Sequence, residues 1–281
     1  MIPGIEVSQW QSQIDWKEVK RSGVKFALIK ATEYQERKIA LLVDNQCKNN
    51  IQGAEANGIA WCAEHLFRTH IDPVMQAQMF HKTVGDFNSL PPVLDLSVPN
   101  DKGERLNYKV RLFLEELEKI SGRHPIIHTK STFWQGNMAY EKRSQADWAG
   151  NFPLWLTHYS NLWPVPLYPW SSWYFWTYSD KGRLPGIQTE VNMVWFAGDE
   201  IELINKFIGK KPEKSINSQF EEESADKESS SSEEGVYKYY EDEDYNEERD
   251  DLLPEGFRNI QRDVPKKDSS KHNNWIEDYF F

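Results

Sequence analysis

Residues 90–97 read LPPVLDLS, an apolar run that ends on Asp95 with Ser97 two positions further on. Side chains of a strand alternate between faces, so Asp95 and Ser97 address the same pocket if either does. A carboxylate at a strand end suits acid–base chemistry on a sugar or an ester, but such chemistry needs a second group able to deliver a proton. A serine hydroxyl is far too weak an acid for that, and no nucleophile-elbow motif surrounds Ser97 to make it a nucleophile. Other polar residues close apolar runs in the same way: Glu6, Glu33, Glu64 with His65, His128, His158 with Tyr159, Thr177 with Tyr178, and Asn192. Trp10, Phe67, Trp155, Trp173 and Trp176 fall close to them in a chain of twelve tryptophans. Aromatic faces beside carboxylates suit the C–H faces of sugar rings. As a group they point to a glycan cleft, although any single one is more often core. His65, His70 and His81 lie at no metal-ligand spacing and there is no glycine-rich phosphate loop, so neither a metal nor a cofactor is expected.

These residues need elements to hold them. Short apolar runs read as strands over 4–10, 25–32, 58–67, 91–97, 124–130, 153–160, 173–179 and 193–196. Helical patterns lie between most of them. DWKEVKRSG has an acidic start and a glycine stop. Residues 104–122 place Leu106, Val110, Phe113, Leu114, Leu117 and Ile120 on one stripe. Continuously apolar strands alternating with helices predict a parallel sheet buried on both faces. About eight of them in about 200 residues predict a TIM-like (β/α) barrel, whose chemistry sits at the C-terminal strand ends.

Charge divides the chain. Residues 1–211 carry 24 Lys+Arg and 23 Asp+Glu, whereas residues 212–281 carry 9 and 21. The barrel domain is therefore read as 1–211 and is close to neutral. An acidic, serine-rich segment over 212–271 lacks the apolar surface to offset chain entropy and is expected to be disordered. Residues 272–281, HNNWIEDYFF, break that pattern with an aromatic cluster expected to serve as a contact for a protein partner. A neutral domain with an anionic tail argues against nucleic acid as a partner. Two cysteines, Cys47 and Cys62, cannot form a disulfide framework and read as buried free thiols. No apolar stretch approaches the length of a membrane span. The first residues, MIPGIEVSQW, show no secretory signal, so the chain is expected to be cytoplasmic at synthesis and to reach a cell wall by lysis or on a virion.

The motifs GIEVSQWQSQIDWKEVKRSGVKFALIKATE, EHLFR, DPVMQAQMF, LPPVLDLS, RHPIIHT, LWLTHYS and WYFWTYS…GRLPGI together resemble the glycoside hydrolase family 25 lysozymes, the Chalaropsis-type muramidases. The resemblance covers about residues 3–208. It implies a barrel that cleaves the β-1,4 bond between N-acetylmuramic acid and N-acetylglucosamine in peptidoglycan. It also implies a set of carboxylates that this chain has largely changed. Glu6 stands where the family has Asp in a Gly-Ile-Asp pattern, and Asp95 with Ser97 where it has Asp-x-Glu. Asn192 stands where it has Asp, His128 where it has Tyr, and Thr177 where it has Gln. Ser97 thus occupies the place of the family's general acid, which implies a glycan binder with muramidase activity lost or much reduced. Glu64 is the candidate for a relocated acid in an active enzyme. A structural or adaptor role in a phage particle, acting through the tail, is the third reading. The candidate catalytic set is Asp95, Glu6 and Glu64. The candidate substrate-binding set is Glu33, His65, His128, Trp155, His158, Tyr159, Trp176 and Tyr178.

Overall fold

A computed structural model describes residues 1–35, 39–98, 102–139 and 142–208. The segments 212–271 and 272–281 lie outside the described residues. The described strands are β1 (Ile2–Val7), β2 (Phe26–Tyr34), β3 (Leu41–Val43), β4 (Ala60–Leu66), β5 (Val93–Leu96), β6 (Ile126–Lys130), β7 (Leu154–Thr157), β8 (Phe175–Gly182) and β9 (Val191–Phe196). They run β1-β9-β8-β7-β6-β5-β4-β2, and β2 pairs back to β1, so eight strands close into a barrel. The short β3 pairs antiparallel with β2 outside the ring.

Every strand expected from the sequence is present. The all-parallel expectation needs one correction: β9 runs antiparallel to both of its neighbours, β8 and β1. Only residues 183–190 connect β8 to β9. That is too short for the dozen or so residues a parallel return requires.

Helices cover the outside of the barrel. α1 (Trp16–Arg21) starts where the Asp15 carboxylate accepts hydrogen bonds from the backbone N–H groups of Lys17 and Glu18. α2 spans Cys47–Ala56. α3 (Pro73–Val84) has Asp72 as its cap and proline at its first position. α4 (Gly103–Ser121) buries Leu106, Val110, Phe113, Leu114 and Leu117 and stops at Gly122, whose φ of 62° favours glycine. No helix of the described residues is long and apolar enough to cross a membrane.

Strand alternation divides the buried residues into two groups. Ile5, Val7, Ala27, Ile29, Ala63, Leu94, Leu96 and Ile127 face outward under the helices. Phe26, Leu28, Cys62, Val93, Ile126, Trp155, Phe175, Val194 and Phe196 pack together inside the barrel. Trp155 stacks on Phe175 at 4.5 Å, and Phe26 meets both rings edge-on at 6.0 and 5.4 Å. These rings form the barrel floor. Both cysteines are buried free thiols, and burial pushes the Cys47 thiol up to about 12.

Candidate active site

The next inward positions, toward the C-terminal ends of the parallel strands, change from apolar to polar. Glu6 follows Gly4 on β1, Glu64 follows Cys62 on β4, and Asp95 follows Val93 on β5. His128 follows Ile126 on β6, and Thr157 and Thr177 follow Trp155 and Phe175 on β7 and β8. Register then brings them together. Asp95 is the direct partner of His128 across β5 and β6, and Glu6 is the direct partner of Asn192 across β1 and β9.

His128 is the hub. Its Nδ1 lies 3.1 Å from a Glu64 carboxylate oxygen, and its Nε2 lies 2.7 Å from the Thr157 hydroxyl and 3.8 Å from Glu6. Glu6 accepts hydrogen bonds from Thr177 Oγ1 and, at 2.6 Å, from Asn192 Nδ2. The Thr177 hydroxyl in turn accepts from the Trp155 indole at 2.8 Å, which ties the cluster to the aromatic floor.

Burial dominates the electrostatics. It pushes the Asp95 carboxyl up to about 7, with the nearby charge of Glu64 adding to the rise and those of His128 and Lys30 opposing it. Burial also raises Glu6, against the opposing charge of His128. For His128 burial works against the charged form, but the hydrogen bond to Glu64 and the charges of Glu6, Glu64 and Asp95 outweigh it. They push the imidazole up to about 9.

Nearer the mouth, Glu33 pairs with Arg68 at 2.7 Å and Lys30 at 3.4 Å. Its burial is outweighed by these cations, which hold it below the usual carboxylate range. A cavity of about 320 Å³ opens here, lined by Gln9, Trp10, Lys30, Glu33, Leu42 and Val43 among others. Trp10, Tyr159 and Trp163 are exposed aromatics. Tyr159 is raised first by burial and then by the charges of Glu6, Asp180 and Asp95. His158 is exposed beside it, and its carbonyl accepts a hydrogen bond from the Trp176 indole.

The structure thus brings Glu6, Glu64, Asp95 and His128 into one cluster and sets Glu33 near the mouth. It corrects four expected contacts. His65 points away from the barrel interior: it is fully buried, stacks on Phe113, and bonds to Thr32 at 2.7 Å and Gln76 at 3.0 Å. Trp155 is a floor residue with no exposed surface. Trp176 alternates with the inward Phe175 and Thr177, so it lies outside the ring, packed against Trp163 and Trp173. Tyr178 follows the same parity and stacks on Trp195 at 5.6 Å. Sequence reasoning passed over Lys30, Thr157 and Trp163. The parity of β2 and β7 marks the first two as inward. Trp163 sits in a loop that carries no periodic signal.

The pattern of glycosyl hydrolases family 25 matches residues 5–187. The chain belongs to this family. Relatives include YegX of Escherichia coli strain K12, an uncharacterized protein 34% identical over 212 residues that cover 72% of each chain. Another is Lysozyme M1 of Streptomyces globisporus, 29% identical over 216 residues, 72% of this chain and 70% of that one. Among solved structures, the bacterial lysozyme of Streptomyces coelicolor superposes with a TM-score of 0.65 at 27% identity, covering 75% of this chain and 98% of its own. A family 25 glycosyl hydrolase from Bacillus anthracis gives 0.62 at 25% identity, covering 73% of this chain and 93% of its own. The family 25 barrel therefore accounts for nearly all of the described residues.

Proposed function

We propose that this family 25 barrel binds the N-acetylmuramic acid/N-acetylglucosamine glycan of bacterial peptidoglycan, with its cleavage of the β-1,4 bond lost or strongly reduced. The substrate class is supported by the family and by the lysozymes among the relatives. The reduced activity is supported by one observation above all: Glu64, the candidate for a relocated acid, is already paired with His128 at 3.1 Å. The His128 imidazole, pushed up to about 9, holds its proton against Glu64, where cleavage needs a proton delivered to the leaving group. Glu6 already accepts hydrogen bonds from Thr177 and Asn192, which tie it to β8 and β9.

Incubating the purified protein with peptidoglycan and measuring reducing ends and soluble muropeptides tests this directly. The expected result is release indistinguishable from buffer, together with saturable binding of muropeptides followed by tryptophan fluorescence. Robust turnover that vanishes in Asp95→Asn would overturn the reading.

A second reading has its own support. Asp95, pushed up to about 7, retains a proton in part of the population near neutral pH. A slow muramidase with Asp95 as acid is therefore the alternative. It would show turnover declining above about pH 7, and Glu64→Gln, which removes a charge that raises Asp95, would move that decline to lower pH without abolishing turnover. Turnover abolished by Glu64→Gln would instead make Glu64 the relocated acid.

A further inference from the structure

No linear metal motif runs through the chain, but strand register assembles a site from residues far apart in it. We propose that Glu64, Asp95 and His128 form a binding site for a divalent first-row cation, with zinc the best match. One ligand atom from each residue lies within 4.8 Å of the other two. The three come from β4, β5 and β6, consecutive neighbours in the barrel. Their backbones are fixed by the sheet, so little is left to order when an ion enters.

Zinc takes oxygen and imidazole nitrogen ligands at about 2.0–2.2 Å, which places ligand atoms roughly 3.3 Å apart in a tetrahedral site. The Glu64–His128 pair, at 3.1 Å, is already at that separation. Asp95 has to close by at most about 1.5 Å to reach it, within the range of a side-chain rotation. Two carboxylates and one imidazole on one side of an ion leave its other positions free, as in three-ligand sites that accept water or a substrate hydroxyl.

The surroundings fit as well. A ligating histidine usually donates its other ring N–H to an outer partner, which fixes the tautomer. Here Nε2 faces the Thr157 hydroxyl at 2.7 Å, an outer partner for the Nε2–H once an ion displaces the proton from Nδ1. Glu6 lies 3.8 Å from Nε2 and is held by Thr177 and Asn192, so it stays outside the ligand set while adding negative charge near the ion. Glu6, Glu64 and Asp95 gather three carboxyl groups around one imidazole, and a divalent ion favours the ionised form of those it contacts. With no thiolate present, the donor set favours zinc or manganese over copper(I).

The proposal does not depend on glycan recognition, and its test is run without glycan. Full-length protein stripped with chelator is titrated with zinc chloride near neutral pH by calorimetry, and with cobalt(II) by visible absorption. The expected result is one equivalent of tight binding per chain and a cobalt d–d band that zinc abolishes. His128→Gln and Asp95→Asn should each weaken zinc at least tenfold. Thr157→Val, which removes only the outer partner, should weaken it about tenfold. His124→Gln, which breaks the surface pair between His124 and Glu118 at 2.9 Å, should change nothing. The cobalt spectrum of the unmutated protein keeps the test valid if a variant misfolds. Absence of stoichiometric binding at micromolar zinc, no cobalt band, or binding that survives both His128→Gln and Asp95→Asn overturns the site.

Discussion

His128 replaces a neutral phenol of the family pattern with a group that carries charge, and its neighbours decide when. Its folded value of about 9 lies above the ordinary 6.5, so folding favours the protonated form. The stability this contributes is fully present below about pH 6.5 and is lost as pH rises through about 9. Asp95, raised to about 7 from 3.8, has the same sign: its ionisation between those values weakens the fold. With chelator present, so that protonation alone is read, the melting temperature should fall between pH 6 and 9.5. The fall corresponds to roughly 1–3 kcal/mol. His128→Gln should flatten its upper part, and a melting temperature that rises over this range would contradict the assignment. Ser97→Glu places a carboxyl where the resemblance implies the family's acid. Combined with Asn192→Asp it should recover at most partial muropeptide release, because His128 and Thr177 also depart from that pattern. Strand parity made Glu6, Glu64, Asp95 and His128 legible in the sequence as inward residues. The same parity could have removed His65, which follows Glu64 and so must face the helices. It could also have removed Trp176, which lies between the inward Phe175 and Thr177. Trp155 shares parity with the cluster, and only its depth in the barrel, one step below Thr157, makes it floor.

At the scale of elements, the apolar runs were legible because barrel strands are covered on both faces and carry no polar residue until they reach the mouth. β3 was not legible: Leu41–Val43 is three residues long and partly exposed, too short for any period. The reversed direction of β9 leaves no mark within the strand itself and shows only in the length of residues 183–190. One glycine is decisive for the floor. Gly4 pairs with Phe26 across β1 and β2, and a Cβ there would run into the Phe26 ring. That ring is wedged against Trp155 and Phe175, so it has nowhere to retreat. Gly4→Ala should therefore cost about 1–3 kcal/mol in chemical denaturation by overpacking. Phe26→Ala opens a cavity in the same place and should cost about 3–5 kcal/mol. Equal stability of Gly4→Ala and the unmutated protein would show that the floor yields more than its packing indicates.

At the scale of the whole molecule, the core and the candidate site of the described residues both lie in the barrel. Among the described residues, both buried apolar groups lie between Ile2 and Phe207, and every member of the polar cluster lies between Glu6 and Asn192. Truncation after residue 211 keeps every core residue named above and should leave the melting temperature of the barrel within about 2 °C of the full chain. Its electrostatic effect should be larger. The removed residues carry 9 basic and 21 acidic side chains and account for the whole negative excess of the chain, whose net charge is −11. A peptidoglycan strand bears carboxylates on its lactyl and peptide arms, so the acidic segment repels it over distances up to a Debye length. The truncated barrel should bind muropeptides faster than the full chain at low salt, with the two association rates converging as salt rises above about 0.15 M. Stopped-flow tryptophan fluorescence at two salt concentrations reads this directly. If the rates differ and salt leaves the difference unchanged, the segment acts through a specific contact and not through its charge.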